Sequence, residues 1–153
     1  MQNIHPLVVH FPIALLMSAA GLMLFGVLGR SERLLRAACL NLWLGTIAAA
    51  IAVRTGLAAE ETAQHTFEIH QLLERHEALG LWVLWLSVGL ALVSLVAPLM
   101  RSRRWQWVVF AGLVVTSVVL SVGAHYGGRM VYEHGVGTAL VTTGGTVIPS
   151  HEH

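Results

Sequence analysis

The sequence predicts an all-α integral membrane protein: a four-helix bundle with a short outer loop and a Gly-rich C-terminal tail. Three observations predict it. Hydrophobic residues make up 56% of the 153 positions and charged residues only 11%, far from the balance of a soluble globule. Four segments are each long and apolar enough to cross about 30 Å of hydrocarbon, which takes roughly 20 residues of helix. The arginines alternate in density between successive connections, as they do when a chain threads a membrane repeatedly.

The first span runs from Pro6 to Leu28. It opens on His5-Pro6 and contains His10 and Pro12, and it lacks the basic start and small-residue cleavage site of a secretory signal. The second runs from Ala37 to Ala59, the third from Ala78 to Met100, and the fourth from Trp105 to Gly127. The connection after span one carries Arg30, Arg33 and Arg36 against Glu32, and the one after span three carries Arg101, Arg103 and Arg104 with no acid. Both are expected on the cytoplasmic side. The connection after span two holds Glu60, Glu61, Glu68, Glu74 and Glu77 against Arg75, and only Arg129 is basic after span four, so these segments and both termini are expected on the periplasmic side. Trp105 and Trp107 fit the inner aromatic belt, and Tyr126 and Tyr132 the outer one. The domain reading is residues 1–138 as the transmembrane unit and 139–153 as a flexible outer tail, loosely structured because it is rich in Gly and Thr. By inspection no internal repeat is strong enough to use.

All nine basic residues are arginine and all eight acidic ones glutamate. There is no lysine for a Schiff base or a phosphate loop, and no aspartate for a calcium loop. The one cysteine, Cys39, excludes an internal disulfide, a Cys-x-x-Cys-His haem attachment and a thiolate-held cluster. No basic run interleaves with aromatics, which sets nucleic-acid binding aside. Neither a nucleophile-elbow serine nor a His-Glu-x-x-His helix is present, so hydrolysis has no basis and a binding or electron-transfer subunit is preferred over a stand-alone enzyme.

The predicted topology puts all nine histidines on the outer side. His5 and His10 begin span one, His65, His70 and His76 fall between spans two and three, His125 ends span four, and His134, His151 and His153 lie in the tail. His10 lies about one turn inside an apolar segment, where an ionisable group is costly and usually faces the bundle interior. Arg54 on span two and His125 on span four stand at similar depth, so the three are expected to share a layer. His5 precedes proline and belongs at the helix entrance; His76 starts span three beside Glu77. One account of this layer is structural hydrogen bonding that closes the bundle. The other is coordination, since neutral imidazole is the commonest metal ligand and nearby glutamates can orient it. Without a thiolate cluster, the candidates are haem b held by histidine pairs from facing helices, or zinc or copper held by three or four histidines. Arg54 suits a haem propionate, or pairs with Glu60 or Glu61 beyond its own span. Gly21, Gly26, Gly45, Gly80, Gly89, Gly112 and Gly123 allow close helix approach or room for a flat ring.

His5-Pro6-Leu7-Val8-Val9-His10-Phe11-Pro12-Ile13-Ala14-Leu15-Leu16, Thr55-Gly56-Leu57, Arg75-His76-Glu77-Ala78-Leu79-Gly80 and Gly127-Gly128-Arg129-Met130-Val131-Tyr132-Glu133-His134-Gly135-Val136-Gly137 together resemble the bacterial membrane family catalogued as domain of unknown function 2231. The likeness covers nearly the whole chain, to about Thr138. It implies a four-helix inner-membrane protein whose relatives are joined to Rieske or c-type cytochrome modules, an association that points to respiratory electron transfer. The family pattern has histidines where this chain has His5, His10, His76 and His134, enough for two bis-histidine haem sites or one four-histidine metal site. His125 stands where relatives often have another residue.

The expectation is therefore a haem b-binding membrane subunit with its cofactor near the periplasmic face, held by ligands drawn from His5, His10, His76 and His134. Its partners would be a periplasmic cytochrome c or Rieske protein, or quinone, with a homo-oligomer left open. No helix carries an inner-side histidine, which argues against a conduit across the full bilayer. The alternatives are a histidine-lined zinc or copper site for binding or transport, and a cofactor-free membrane anchor.

Overall fold

The computed structural model describes residues 4–60, 67–96, 101–133, 141–143 and 146–148. Its elements are α1 (His5–Val8), α2 (His10–Leu28), α3 (Glu32–Glu60), α4 (Phe67–Leu95), α5 (Arg103–Tyr132), β1 (Val141–Thr143) and β2 (Thr146–Ile148). The first four apolar stretches of the sequence become four membrane-length helical spans, His5–Leu28, Glu32–Ala58, His70–Leu95 and Arg103–Tyr132. α1 and α2 form one span with an interruption at Val9. Pro12 has no N–H to offer the Val8 carbonyl one turn earlier, so the helix is broken there.

The helices reach further than the apolar stretches alone indicate. α4 begins at Phe67, well before Ala78, so His70, Glu74, Arg75 and His76 stand on helix rather than in a loop. Leu, Gln, Glu and Arg are good helix formers, and Gln71-Leu72-Leu73-Glu74-Arg75 extends the span without interruption. His70 pairs with Glu74 one turn on at 3.2 Å. Within the segment read as a tail, β1 and β2 form an antiparallel ribbon with Val141 opposite Ile148 and Thr143 opposite Thr146. Among the described residues the ribbon contacts no helix.

The four spans make a closed ring in which α2 packs on α3, α3 on α4, α4 on α5, and α5 back on α2, while α1 lies against α3. Leu16, Met23, Leu42, Val109 and Leu113 fill its axis with no exposed surface. Large apolar side chains also cover the outside, among them Phe11, Phe25, Ile47, Trp82, Trp85 and Val118, as expected when lipid is the solvent. Lipid offers no reward for hiding apolar surface, so close approach decides which faces meet. Gly45 lets α2 lie against α3; a methyl group there would stand 2.8 Å from Leu16 Cδ2. Gly112 does the same for Leu90 of α4. Between α3 and α4 the indole N–H of Trp43 donates to Ser94 Oγ at 2.7 Å, and that hydroxyl donates to the Ala91 carbonyl.

The ring contains an internal repeat that is not evident from the sequence by inspection. Adding 71 to a residue number carries the hairpin α1-α2-α3 onto the hairpin α4-α5. Arg30-Ser31-Glu32-Arg33 then falls on Arg101-Ser102-Arg103-Arg104, Leu42 on Leu113, and Gly56 on Gly127. The buried positions follow the same offset: Pro12 and Val83, Leu16 and Ser87, Met23 and Ser94, Ala38 and Val109, Gly45 and Thr116, Ala52 and Gly123. Each serine of the Arg-Ser motif begins a helix, with the Ser31 carbonyl accepting from Leu35 N–H and the Ser102 carbonyl from Gln106 N–H. At the first of these turns Arg30 takes a left-handed φ of 50°, and Ser31 N–H closes the end of α2 by donating to the Gly26 carbonyl at 2.9 Å. Positions facing lipid accept any apolar side chain, so the repeat survives only at positions where packing or turn geometry is demanding.

Two substitutions test this packing. Gly45→Val should lower stability by about 1–3 kcal/mol through overpacking, seen as an earlier unfolding transition in detergent. Gly89→Ala, whose added methyl would meet no neighbouring helix within 4 Å among the described residues, should not lower the transition. Trp43→Phe should cost roughly 0.6–1.7 kcal/mol, the range for interhelical hydrogen bonds in membranes, by the same measurement.

Candidate functional site

Two histidines meet at one end of the ring. His5 enters from the start of span one and His76 from α4, and their ring centres are 6.2 Å apart with planes at 86°. Each ring occupies space that a glycine on the facing helix vacates. A methyl at Gly56 of α3 would lie 3.0 Å from His5 Cε1, and one at Gly127 of α5 would lie 3.1 Å from His76 Cε1. Ala52 and Gly123, one turn deeper, are small and buried. Four small residues therefore form the seat for the two imidazoles.

The hydrogen bonds determine which ring nitrogen carries the proton in the neutral form. His76 Nδ1 lies 2.9 Å from the Gly123 carbonyl, which can only accept, so Nδ1 donates. His5 Nδ1 lies 3.2 Å from Thr55 Oγ1. The Thr55 hydroxyl has one hydrogen and donates it to the Ala52 carbonyl at 3.0 Å, so toward His5 its oxygen accepts. These partners favour the Nδ1–H tautomer of both neutral rings. Histidines that bind metals are oriented in this way, by a carbonyl or other acceptor on the nitrogen that does not bind.

The other expected members of the layer do not join this pair. His10, Arg54 and His125 are all exposed on the outside of the ring. Helical phase is the reason: residues five apart on a helix differ by about 140° in direction, and residues two apart by about 200°. His10 is five from His5; Arg54 is two from both Ala52 and Gly56; His125 is two from both Gly123 and Gly127. When His5, Ala52 and Gly123 face inward, these three face out. His10 and Arg54 near the ends of their spans can extend their polar groups toward the membrane surface. His134, His65, His151 and His153 lie outside the described residues. Among the described residues no group of three or more His, Cys, Asp or Glu is arranged to hold a metal ion. A shallow depression of about 300 Å³ beside His125 is lined by Gly128, Arg129, Tyr132 and Glu133, all on the end of α5, with Arg129 and Glu133 paired at 2.9 Å.

Reading residue types alone identifies the ligand candidates but not their supports. Thr55, Gly56 and Gly127 stand in the motifs that carry the resemblance and Gly123 among the small residues of the spans, but their chemistry does not mark them as supports; their matching distances from the two histidines along the chain do. His5 and Gly56 are separated by the same 51 positions as His76 and Gly127.

No curated protein matches the chain, and no solved structure matches it. One family model does, over residues 1–140, and its description is "Predicted membrane protein (DUF2231)". That match covers all four spans and both histidines of the pair. With its four membrane-length helices and its two-histidine end, this chain belongs to the DUF2231 family of predicted membrane proteins.

Proposed function

We propose that the protein is a haem b-binding subunit of a bacterial inner membrane, with His5 and His76 as axial ligands near the periplasmic face. The observation that carries this reading is the facing pair itself: two imidazoles from different hairpins, each oriented by a bond at Nδ1. Donor number supports haem over a bare ion. Protein zinc sites draw three or four ligands from the chain, whereas a porphyrin provides its own four nitrogens and needs two. Among the described residues two histidines converge. Spacing supports it too. A ring separation of 6.2 Å suits one metal centre between two imidazoles, each bond being about 2.0–2.1 Å for nitrogen on a first-row ion. Haem would supply one-electron chemistry at this end of the bundle.

The residues of the chain do the rest. Gly56 and Gly127 allow the imidazoles to enter between helices, and the acceptors at Nδ1 keep both Nε2 atoms in the ligating form. The surrounding apolar ring excludes water from one side of the site. Arginine density at the Arg30 and Arg101 turns supports placing those turns in the cytoplasm and the histidine end in the periplasm. With the pair at one end only, electrons would be exchanged at that surface, with a periplasmic cytochrome c, a Rieske protein or quinone as partner. Arg54 faces away from the pair and is not assigned to a propionate.

Protein purified from haem-replete cells should show a Soret band and a reduced-minus-oxidised α-band. Both should be lost in His5→Ala and in His76→Ala, and kept in His125→Ala. A colourless, iron-free preparation overturns the proposal; stoichiometric zinc or copper in that preparation points to an ion site, and absence of both to a membrane anchor.

A further inference from the structure

The 71-residue offset that relates the two hairpins also relates every part of the histidine site. It carries His5 onto His76, Gly56 onto Gly127, and Ala52 onto Gly123. The last pair matters most, because the Gly123 carbonyl is the acceptor for His76 Nδ1, and the Ala52 carbonyl is the acceptor for Thr55, whose Oγ1 lies 3.2 Å from His5 Nδ1. Equivalent carbonyls thus serve equivalent imidazoles, directly at His76 and through Thr55 at His5. Both hairpins run in the same direction, since α2 and α4 both start at the histidine end. Parallel repeats of this kind are related by an axis along the membrane normal. A ring of four helices with equivalent members opposite each other places that axis between His5 and His76.

We infer that the site is a two-fold symmetric clamp, in which two copies of one hairpin each contribute one Nδ1–H imidazole, and the axis between them is the binding position for a metal centre with two equivalent opposite faces. The inference rests on the two-histidine reading above and specifies it: neither histidine is the principal ligand, and no third side chain of the chain is required.

The symmetry is broken at one contact, which identifies a positioning residue. Thr55 stands between His5 and the Ala52 carbonyl, whereas His76 Nδ1 reaches the Gly123 carbonyl directly, with Tyr126 at the position equivalent to Thr55. Thr55 therefore orients the first ring alone. The exposed groups respect the same relation: Arg54 and His125 occupy equivalent positions and both face outward. Their differing chemistry leaves the clamp unaffected.

The test uses the full chain in detergent, first without cofactor. Nitrogen-15 spectra of labelled histidine at a pH above the imidazole range should show His5 and His76 as Nδ1–H tautomers, assigned by the signals lost in His5→Gln and His76→Gln. An Nε2–H tautomer at either residue overturns the inference, whether or not haem binds. Titration with hemin should then give a six-coordinate low-spin spectrum for the parent chain. His5→Gln and His76→Gln should give matching spectra of reduced coordination and matching losses of affinity. If either variant keeps the parent spectrum and affinity, the clamp is wrong. Thr55→Val should weaken hemin by about 10-fold, the lower end for loss of a group that orients a metal ligand, and shift the His5 signals but not those of His76; Thr55→Ser should restore both. Correct tautomers in a chain that takes up no hemin would overturn the haem proposal and the metal-centre assignment while leaving the symmetric arrangement of the rings established.

Discussion

Close approach of helix backbones is the constraint on which this structure depends. In hydrocarbon an exposed leucine costs nothing, so apolar residues by themselves do not choose one helix face over another. Gly45 against Leu16 and Gly112 against Leu90 do choose, because each lets a bulky side chain into the backbone groove of the next helix. At the histidine end the same device receives a different guest: Gly56 and Gly127 accept imidazole rings where deeper glycines accept leucine. The site is in this sense a continuation of the packing. Its polar groups are satisfied by the helices that enclose it, through the Gly123 carbonyl and Thr55.

Several hydroxyls elsewhere bond to the backbone of their own helix. Thr46 donates to the Leu42 carbonyl, Thr116 to the Gly112 carbonyl and Ser87 to the Leu84 carbonyl, so these residues sit on helix without needing a partner across the bundle. Trp43 and Ser94 are different, because their bond links two helices. Asn41 likewise donates across the first hairpin to Ser18 at 2.9 Å. Ion pairs contribute little by comparison. Arg36 with Glu32 is a helix-surface pair in which both side chains are more than 80% exposed, a setting in which such pairs are worth only a few tenths of a kcal/mol.

The duplicated hairpin connects this packing to the proposed function. Two-fold repetition gives opposite sides of the ring equal geometry, so that His5 and His76 enter the bundle in equivalent ways. It also explains the segregation of the paired histidines. Repeating a hairpin with its histidine at the first end places both copies at one end of the ring.

The sequence by itself determined the helical class and the four spans, because hydrocarbon thickness and the requirement for internally satisfied backbone groups leave few alternatives. It also named His5 and His76 as candidate ligands, together with His10 and His134. What it did not decide was which ionisable residues face one another. His10, Arg54 and His125 share a depth with the pair, yet depth is counted along one axis and facing depends on rotation about another. Lipid tolerates apolar side chains at every angle, so the apolar pattern of a span carries little information on its rotation. Tertiary packing supplied that angle through the small residues at which helices touch, and with it the partnership of His5 with Thr55 and of His76 with Gly123.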